Sequence, residues 1–357
     1  MSAISKPAVR KSIDGLAGKA SPCALMQLAW PNVDGFLHTA PNLSHIRAHK
    51  GRAGRCASRG KPSLRGAFWV PARCRYNRMI DTLSRSLRRR IVREVRATIS
   101  GGADGSSVIR PSDDAYFPPD TIIRRVHGDV TSMMVGGISA LLLQMLHPAV
   151  LAGVWDHSNF RADMLGRLHR TARFIAVTTF ASRHDADLAI SRVRAIHEKV
   201  AGVLPDGTSY RASDPRLLAW VHVTEAISFF DAWRRYGTAG TSLDDETAYF
   251  TAFAHIAEML GADPVPRSRA EADALITAMR PDLRFDDRTR AIAKLVTRPR
   301  PRTLPMVPAQ MITTQAAIDQ LPYWASRMHR LNGAGAARPL VRAGTLGIAR
   351  TLRWAFA

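Results

Sequence analysis

Apolar residues recur at spacings of three and four along most of the chain, which is the period of α-helices that bury one face. The segment SDPRLLAWVHVTEAISFFDAWRRYG begins with Asp214 as a predicted N-cap and Pro215 at the first helical position, and it ends at Gly237. A second capped helix, TSLDDETAYFTAFAHIAEMLGADP, ends near Gly261. Because neither an alternating strand pattern of useful length nor an internal repeat occurs, the sequence predicts an all-α fold, a single large helical domain.

Residues 130–155 form an apolar run that contains no Asp, Glu, Lys or Arg. The run is long enough to cross a bilayer. However, Gln144, His147 and Pro148 lie in its second half, and paired glycines interrupt its first half. Such a mixture is typical of a helix in the core of a large domain, so we predict a buried core helix here rather than a membrane span.

The formal net charge of +22 is concentrated at the N-terminus. Residues 1–78 hold 14 Lys and Arg against two acids, a net +12, which leaves +10 for the other 279 residues. The run HKGRAGRCASRGKPSLRG favours coil. We therefore predict a basic extension over 1–78: a disordered arm, a processed segment, or a stretch that precedes a native start near Met79. The helical domain, 79–357, is expected to fold without it.

All three cysteines fall in this basic extension, at Cys23, Cys56 and Cys74. Disulfides, cysteine-ligated zinc, iron–sulfur clusters and thiol catalysis are therefore excluded from residues 79–357. Since no RNA-recognition signature, zinc-finger spacing or Walker loop occurs, no nucleic-acid partner is expected. The apolar run ALMQLAW is too short for a secretory signal, and we expect a cytoplasmic location. The basic amphipathic helix MIDTLSRSLRRRIVREVRA lies either on the domain surface or on an anionic membrane, so peripheral membrane contact stays open.

Candidate chemistry rests on histidines in apolar helical segments, namely His147, His157, His197 and His222. Any of them could instead be a satisfied core residue. His197 shares its predicted face with an apolar stripe made of Val193, Ile196 and Val200. His222 and Glu225 share theirs with Leu218, Val221 and Phe229.

The sequence lacks the motifs of several metal sites and of a common serine nucleophile. There is no Glu-x-x-His pair for a di-iron bundle, no His-Glu-x-x-His zinc motif and no Gly-x-Ser-x-Gly elbow. A site with a single protein ligand remains. Haem suits such a site, because one neutral imidazole can hold the iron from one side and leave the other side open to oxygen. On this reasoning His197 is the favoured ligand.

The segment GRLHRTARFIAVTTF places two arginines at the start of a largely apolar stretch. If the segment is helical, Arg167, Arg170 and Thr171 share one face with Phe174 and Thr178. That face is polar at one end and apolar beyond. The two arginines are either a surface pair whose stems lie along apolar neighbours, or the polar end of a functional pocket.

Four ordered motifs carry a resemblance to a known family: LLLQMLHPAVLAGVWDHSNF, GRLHRTARFI, VRAIHEKVAG and SYRASDPRLLAWVHVTEAIS. In this order and at this spacing they resemble the oxygenase family that includes latex clearing protein, a rubber oxygenase, and the MpaB oxygenase. The resemblance is firm over about 120–240 and extends over 79–340 as a whole domain. It implies a globin-like helical core, a b-type haem, and oxidative cleavage of C=C bonds in isoprenoid chains with dioxygen.

The resemblance also implies roles for individual residues. The family's Arg-x-x-Lys-Thr set beside the haem corresponds to Arg167, Arg170 and Thr171. A guanidinium is a poor iron ligand, so Arg170 cannot bind the iron as a lysine could. The iron-ligating histidine of the family corresponds to His197, with His222 as the second choice. Asp156 is the candidate counterpart of the family's catalytic acid.

Together these features lead to one expectation about function. The chain is expected to be a haem b-dependent, iron-containing oxygenase that activates dioxygen and oxidises or cleaves a C=C bond of an apolar, isoprenoid-like small molecule. The alternative is a non-catalytic helical protein that binds haem or lipid at a membrane surface.

Overall fold

The computed structural model describes residues 84–94, 109–161, 163–238, 240–298 and 307–357, all of which belong to one compact unit, Trp69–Ala357. The predictions for the basic extension, its three cysteines and the start near Met79 concern residues outside those described. Within the described ranges the chain is mostly α-helical, as the sequence predicts. The globin-like core stays a prediction.

Thirteen α-helices occur in the described ranges. The first six are α1 (84–94), α2 (Ile122–Gly128), α3 (Val130–Gln144), α4 (Pro148–His157), α5 (Met164–Phe180) and α6 (Arg183–His197). The others are α7 (Pro215–Tyr236), α8 (Leu243–Leu260), α9 (Arg269–Met279), α10 (Asp287–Thr297), α11 (Val307–Gln320), α12 (Tyr323–His329) and α13 (Arg338–Phe356). Two short 3₁₀ helices cover Arg280–Asp282 and Gly335–Ala337.

The strongest local signals in the sequence set the helix ends. Asp214 caps α7 by accepting from the Arg216 N–H, and α7 stops before Gly237. At the start of α8, Ser242 and Asp245 form a reciprocal capping box. This helix ends at Gly261, which has φ +94°, a conformation that glycine adopts without strain.

Two helix predictions were wrong in extent. The apolar run 130–155 is broken between Gln144 and Pro148 into α3 and α4. Pro148 lacks an N–H and disfavours helical geometry in the residue before it, so the chain turns at this point and restarts. The segment SRHDADLAISRVRAIHEKVAGVLPDG also predicts a helix, with Pro205 and Gly207 beyond its end, but α6 stops at His197.

A small antiparallel hairpin follows α6 where no strand was predicted. Its strands are β1 (Ala201–Val203) and β2 (Ser209–Arg211), with Gly202 opposite Tyr210. Gly207 has φ +88° in the connecting turn, the region that favours glycine. Three residues per strand are too few for a periodic signal, which is why the pattern did not indicate them.

The central contact of the core is between α3 and α7. α7 is buried on nearly all sides, including Trp220 and Phe230, and α3 lies directly along it. The Trp220 indole N–H points at the carbonyl of Gln144 at 3.4 Å. Around this pair α2, α5, α6 and α8 close one side of the domain. Any site on α7 is therefore enclosed by several helices.

No single helix among the described residues is long and apolar enough to cross a membrane. The pair α2 and α3 passes that test only jointly, with a bend of 84° between the two. The buried residues of α3 instead contribute to the core, as predicted for this run.

Candidate functional site

A small cavity of about 60 Å³, open to solvent on one side, lies between α5, α6, α7 and α8. Three of its lining side chains are titratable: His197, His222 and Glu225. The rest of the lining is apolar and includes Phe174 of α5 and Phe253 of α8. A mostly apolar cavity with a few convergent polar groups is the usual form of a small-molecule site.

His222 projects from α7 into the apolar part of this cavity. Its ring lies 4.7 Å from that of Phe253, centroid to centroid. The buried Nε2 atom has no hydrogen-bond partner among the described residues. Burial lowers the pKa of His222 to about 4, so the imidazole is neutral near pH 7 and keeps a nitrogen lone pair for a ligand.

Glu225 follows His222 by three residues and reaches the same cavity. Burial raises the pKa of Glu225 to about 7, against the opposing effects of a hydrogen bond from Gln144 and the charge of Arg167. The Gln144 amide donates to Glu225 Oε1 at 3.3 Å and to the carbonyl of Val221 at 3.3 Å. The carboxyl group is thus poised to hold or release a proton near neutral pH.

His197 lies at the C-terminal end of α6 and is half-buried at the cavity. Its buried Nδ1 has no partner within the described part of the chain. Burial lowers the pKa of His197, Arg167 lowers it further, and Glu198 opposes both. The predicted apolar stripe is wrong at Ile196, which is 53% exposed. The inward face of α6 instead carries the buried Ile190.

Arg167 lies in the first half of α5 and is half-buried. Burial lowers the pKa of Arg167, the neighbouring Arg170 lowers it further, and Glu225 opposes the shift. Arg167 therefore lies near enough to both Glu225 and His197 to act on their charges. Arg167, at one end of the predicted polar face, thus acts electrostatically on two titratable groups of the cavity.

The other two predicted residues of this face lie nearer the surface. Arg170 pairs with Asp163 at 3.4 Å and is 44% exposed. The exposed Thr171 donates its hydroxyl to the carbonyl of Arg167 at 3.3 Å. None of the predicted trio is part of the cavity lining, whereas Phe174, one turn further along α5, is. Their direct action on a bound molecule stays a prediction.

The remaining sequence candidates lie elsewhere. His157 is exposed, and His147 is buried next to Trp220, with ring centroids 6.3 Å apart. Asp156, suggested as the catalytic acid, is exposed, forms an ion pair with Arg288 at 3.4 Å and accepts from Tyr210. The structure does not bring these groups into the cavity lining.

Sequence reasoning missed two buried groups. Glu225 was noticed only as a neighbour of His222 on one helix face, although the spacing of three already placed the two together.

His127 of α2 was not considered as a functional residue from the sequence. Its ring nitrogens lie 2.8 Å from Thr179 Oγ1 and 3.3 Å from Tyr249 Oη. Burial, with a smaller effect of His222, lowers the pKa of His127 to about 3. This residue supports the cavity wall from behind, since its ring packs on Phe253.

Comparison with known families assigns this domain. The family model for the catalytic domain of the ER-bound oxygenase mpaB/B' and rubber oxygenase matches residues 124–354. The chain belongs to this family. It is therefore an oxygenase, an enzyme of the oxidoreductase class, as the four sequence motifs implied. Comparisons with curated proteins and with solved structures gave no match.

Proposed function

We propose that this oxygenase is haem b-dependent and that it oxidises or cleaves a C=C bond of an apolar, isoprenoid-like substrate with dioxygen. One observation carries the cofactor proposal. Two imidazoles line the same largely apolar cavity, and each has a buried ring nitrogen without a hydrogen-bond partner among the described residues. Buried polar atoms are seldom left unpaired without a functional reason.

The donor set fits an iron porphyrin. Burial lowers the pKa of both His197 and His222, so each imidazole is deprotonated at neutral pH, as iron binding requires. The apolar walls, with Phe174 and Phe253, match a porphyrin in polarity, and the helices around this small cavity must move apart to admit one. When bound, haem b supplies the iron that activates dioxygen.

We assign the iron-ligating role to His197 and keep His222 as the alternative that the test separates. His197 lies at the end of α6, half-exposed at the cavity. His222 lies deeper, against Phe253 and one turn before Glu225. If the iron-ligating histidine is His197, at the cavity edge, the deeper apolar part of the cavity with the Glu225 carboxyl group is left for the substrate.

The other residues have roles that follow from their surroundings. Arg167 keeps its positive charge and stabilises negative charge that develops beside it, an effect that is strong in a site from which water is excluded. Glu225 holds a proton on its carboxyl group below about pH 7 and releases it above. Phe174 and Phe253 exclude water and offer the apolar contact that an isoprenoid chain needs.

Reconstitution with haem b tests the proposal. Purified protein should bind haem and show a Soret band, and oxygen uptake should follow addition of squalene, a polyunsaturated isoprenoid. His197→Ala should lower haem retention roughly tenfold or more, whereas His184→Ala, at an exposed position of the same helix, should leave it unchanged.

Three results would revise the proposal. If His222→Ala loses haem and His197→Ala does not, the ligand is His222. If the wild-type protein takes up no haem, the cofactor proposal is wrong. If haem binds but neither oxygen uptake nor a cleaved product appears, the assigned substrate class is wrong.

A further inference from the structure

The outer face of the C-terminal helix α13 combines exposed apolar side chains with arginines. Thr345, Ala349 and Ala355 are buried on its inner face. On the opposite side Leu340 is 76% exposed and Trp354 is 36% exposed. These two residues are fourteen positions apart, so they lie about 21 Å apart along the axis and within about 40° of each other around it. The helix thus carries an apolar group near each end of one outward face.

A second basic helix adjoins α13. The Arg88 guanidinium of α1 lies 4.6 Å from the Trp354 ring centroid, within cation–π range. Its neighbour Leu87 is 52% exposed. We call the exposed side chains on this side of the two helices the α1–α13 surface, formed by Leu87, Arg90, Leu340, Arg350 and Trp354.

The charge of this surface is mainly positive. Residues 338–356, which form α13, contain four arginines and no Asp or Glu. Within α1, residues 84–94 contain five arginines and a single acid, Glu94. Arg353 is engaged on the inner side by Asp129, but Arg90 and Arg350 are exposed. The surface therefore has a strong positive potential in addition to its apolar groups.

We propose that the α1–α13 surface binds the anionic headgroup region of a lipid membrane, with α13 lying flat in the interface. Arginines beside exposed leucine and tryptophan are the composition of helices that lie in an interface. A nucleic acid would use the arginines, but it would gain little from burying Leu87 and Leu340. The proposal is independent of the haem cofactor.

Vesicle co-sedimentation with the full chain tests the proposal. The protein should bind vesicles of phosphatidylcholine mixed with phosphatidylserine, and bind vesicles of phosphatidylcholine alone much more weakly. Removing two arginines in Arg90→Gln/Arg350→Gln should lower binding by roughly fivefold per arginine. The matched variant Lys199→Gln/Arg211→Gln removes two exposed positive charges near the β-hairpin and should have little effect.

A second measurement concerns the apolar contact itself. Brominated lipid should quench the tryptophan fluorescence of the wild-type protein more than that of Trp354→Phe, and Leu340→Asp should weaken vesicle binding. Thermal unfolding checks that each variant is folded. If the arginine double variant and the Lys199→Gln/Arg211→Gln control bind the vesicles equally well, basic residues outside the α1–α13 surface bind the vesicles and the proposal is wrong. It is also wrong if the protein binds no vesicles, or if Arg90→Gln/Arg350→Gln weakens binding to DNA but not to vesicles.

Discussion

The side-chain amide of Gln144 donates a hydrogen bond to the carboxyl group of Glu225 at 3.3 Å and thereby joins the two central helices at the cavity. Gln144 ends α3, and Glu225 lies in the middle of α7. The bond favours the ionised carboxylate, yet burial outweighs it, and the pKa of Glu225 rises to about 7. The protonation state of the site therefore changes within the neutral range.

Glu225→Gln should alter the pH dependence of stability. In the unfolded chain a glutamate ionises near pH 4.3, whereas in the folded protein the pKa of Glu225 is about 7. Between these two pH values Glu225 carries a proton in the folded state but not in the unfolded state. Its contribution to the free energy of unfolding is therefore complete at low pH and is lost as the pH rises through 7. The variant should gain roughly 3 kcal/mol over the wild type at pH 8, and little at pH 4.

Urea unfolding at several pH values measures this difference. His127 and His222 also titrate differently in the folded and unfolded states, since burial lowers the pKa of both. Their contribution is present above the unfolded pKa and is lost as the pH falls, so it cancels when variant and wild type are compared. Asp120→Asn, at an exposed position away from the cavity, should follow the wild-type curve. A variant-minus-wild-type difference that is constant with pH would contradict the assignment.

Replacing Arg167 should affect the site more than replacing Arg170. Arg167 lowers the pKa of Glu225, whereas Arg170 pairs with Asp163 near the surface. In Arg167→Ala the carboxyl pKa should therefore rise further, and the midpoint of the pH-dependent stability change should move to higher pH. In protein reconstituted with the proposed haem b, turnover should fall roughly a hundredfold with haem content unchanged. Arg170→Ala serves as the comparison, and equal effects of the two variants would refute the distinction.

Local signals allowed much of the fold to be predicted from sequence. The caps Asp214 and Ser242 and the stop signals Gly237 and Gly261 act within one helical turn, so their effect does not depend on the rest of the chain. The prediction of a buried apolar stripe on α6 was wrong at Ile196, which is exposed. Helical periodicity alone does not fix which side of a short apolar stripe faces the core.

The candidate site was predicted only in part, since its chemistry depends on several helices. The sequence placed His222 beside Glu225 and singled out His197, and all three line the cavity. It could not indicate that Gln144 and Arg167, on other helices, would act on the Glu225 carboxyl group. A pKa set by burial follows from tertiary packing, which no spacing rule contains.

Asp129 should contribute strongly to stability because it performs two tasks. Its carboxylate caps α3 by accepting from the Ser132 N–H at 2.8 Å, and it accepts from Arg353 Nε of α13 at 2.8 Å. Asp129→Ala should lower the free energy of unfolding by about 2 kcal/mol, from the lost cap and the lost ion pair with Arg353, which still donates to the Tyr236 carbonyl. Asp287→Ala, which removes an almost fully exposed partner of Arg290, should change it little. Chemical denaturation compares them, and similar small losses would refute the role of Asp129.

The adjacent glycines of α3 should respond in opposite ways to alanine. A Cβ atom at Gly136 would lie 2.8 Å from the Phe229 backbone of α7, and at Gly137 the nearest atom would be 3.8 Å away. Gly136→Ala must therefore push apart the two central helices and should lower the free energy of unfolding by about 1–3 kcal/mol. Gly137→Ala makes an ordinary contact and should raise it by up to about 1 kcal/mol, through helix propensity. Because α7 carries His222 and Glu225, only Gly136→Ala should also disturb the cavity. The disturbance should appear as a shifted midpoint of the pH-dependent stability change that Glu225 causes. Equal effects of the two substitutions would show that α3 and α7 are not in close backbone contact at Gly136.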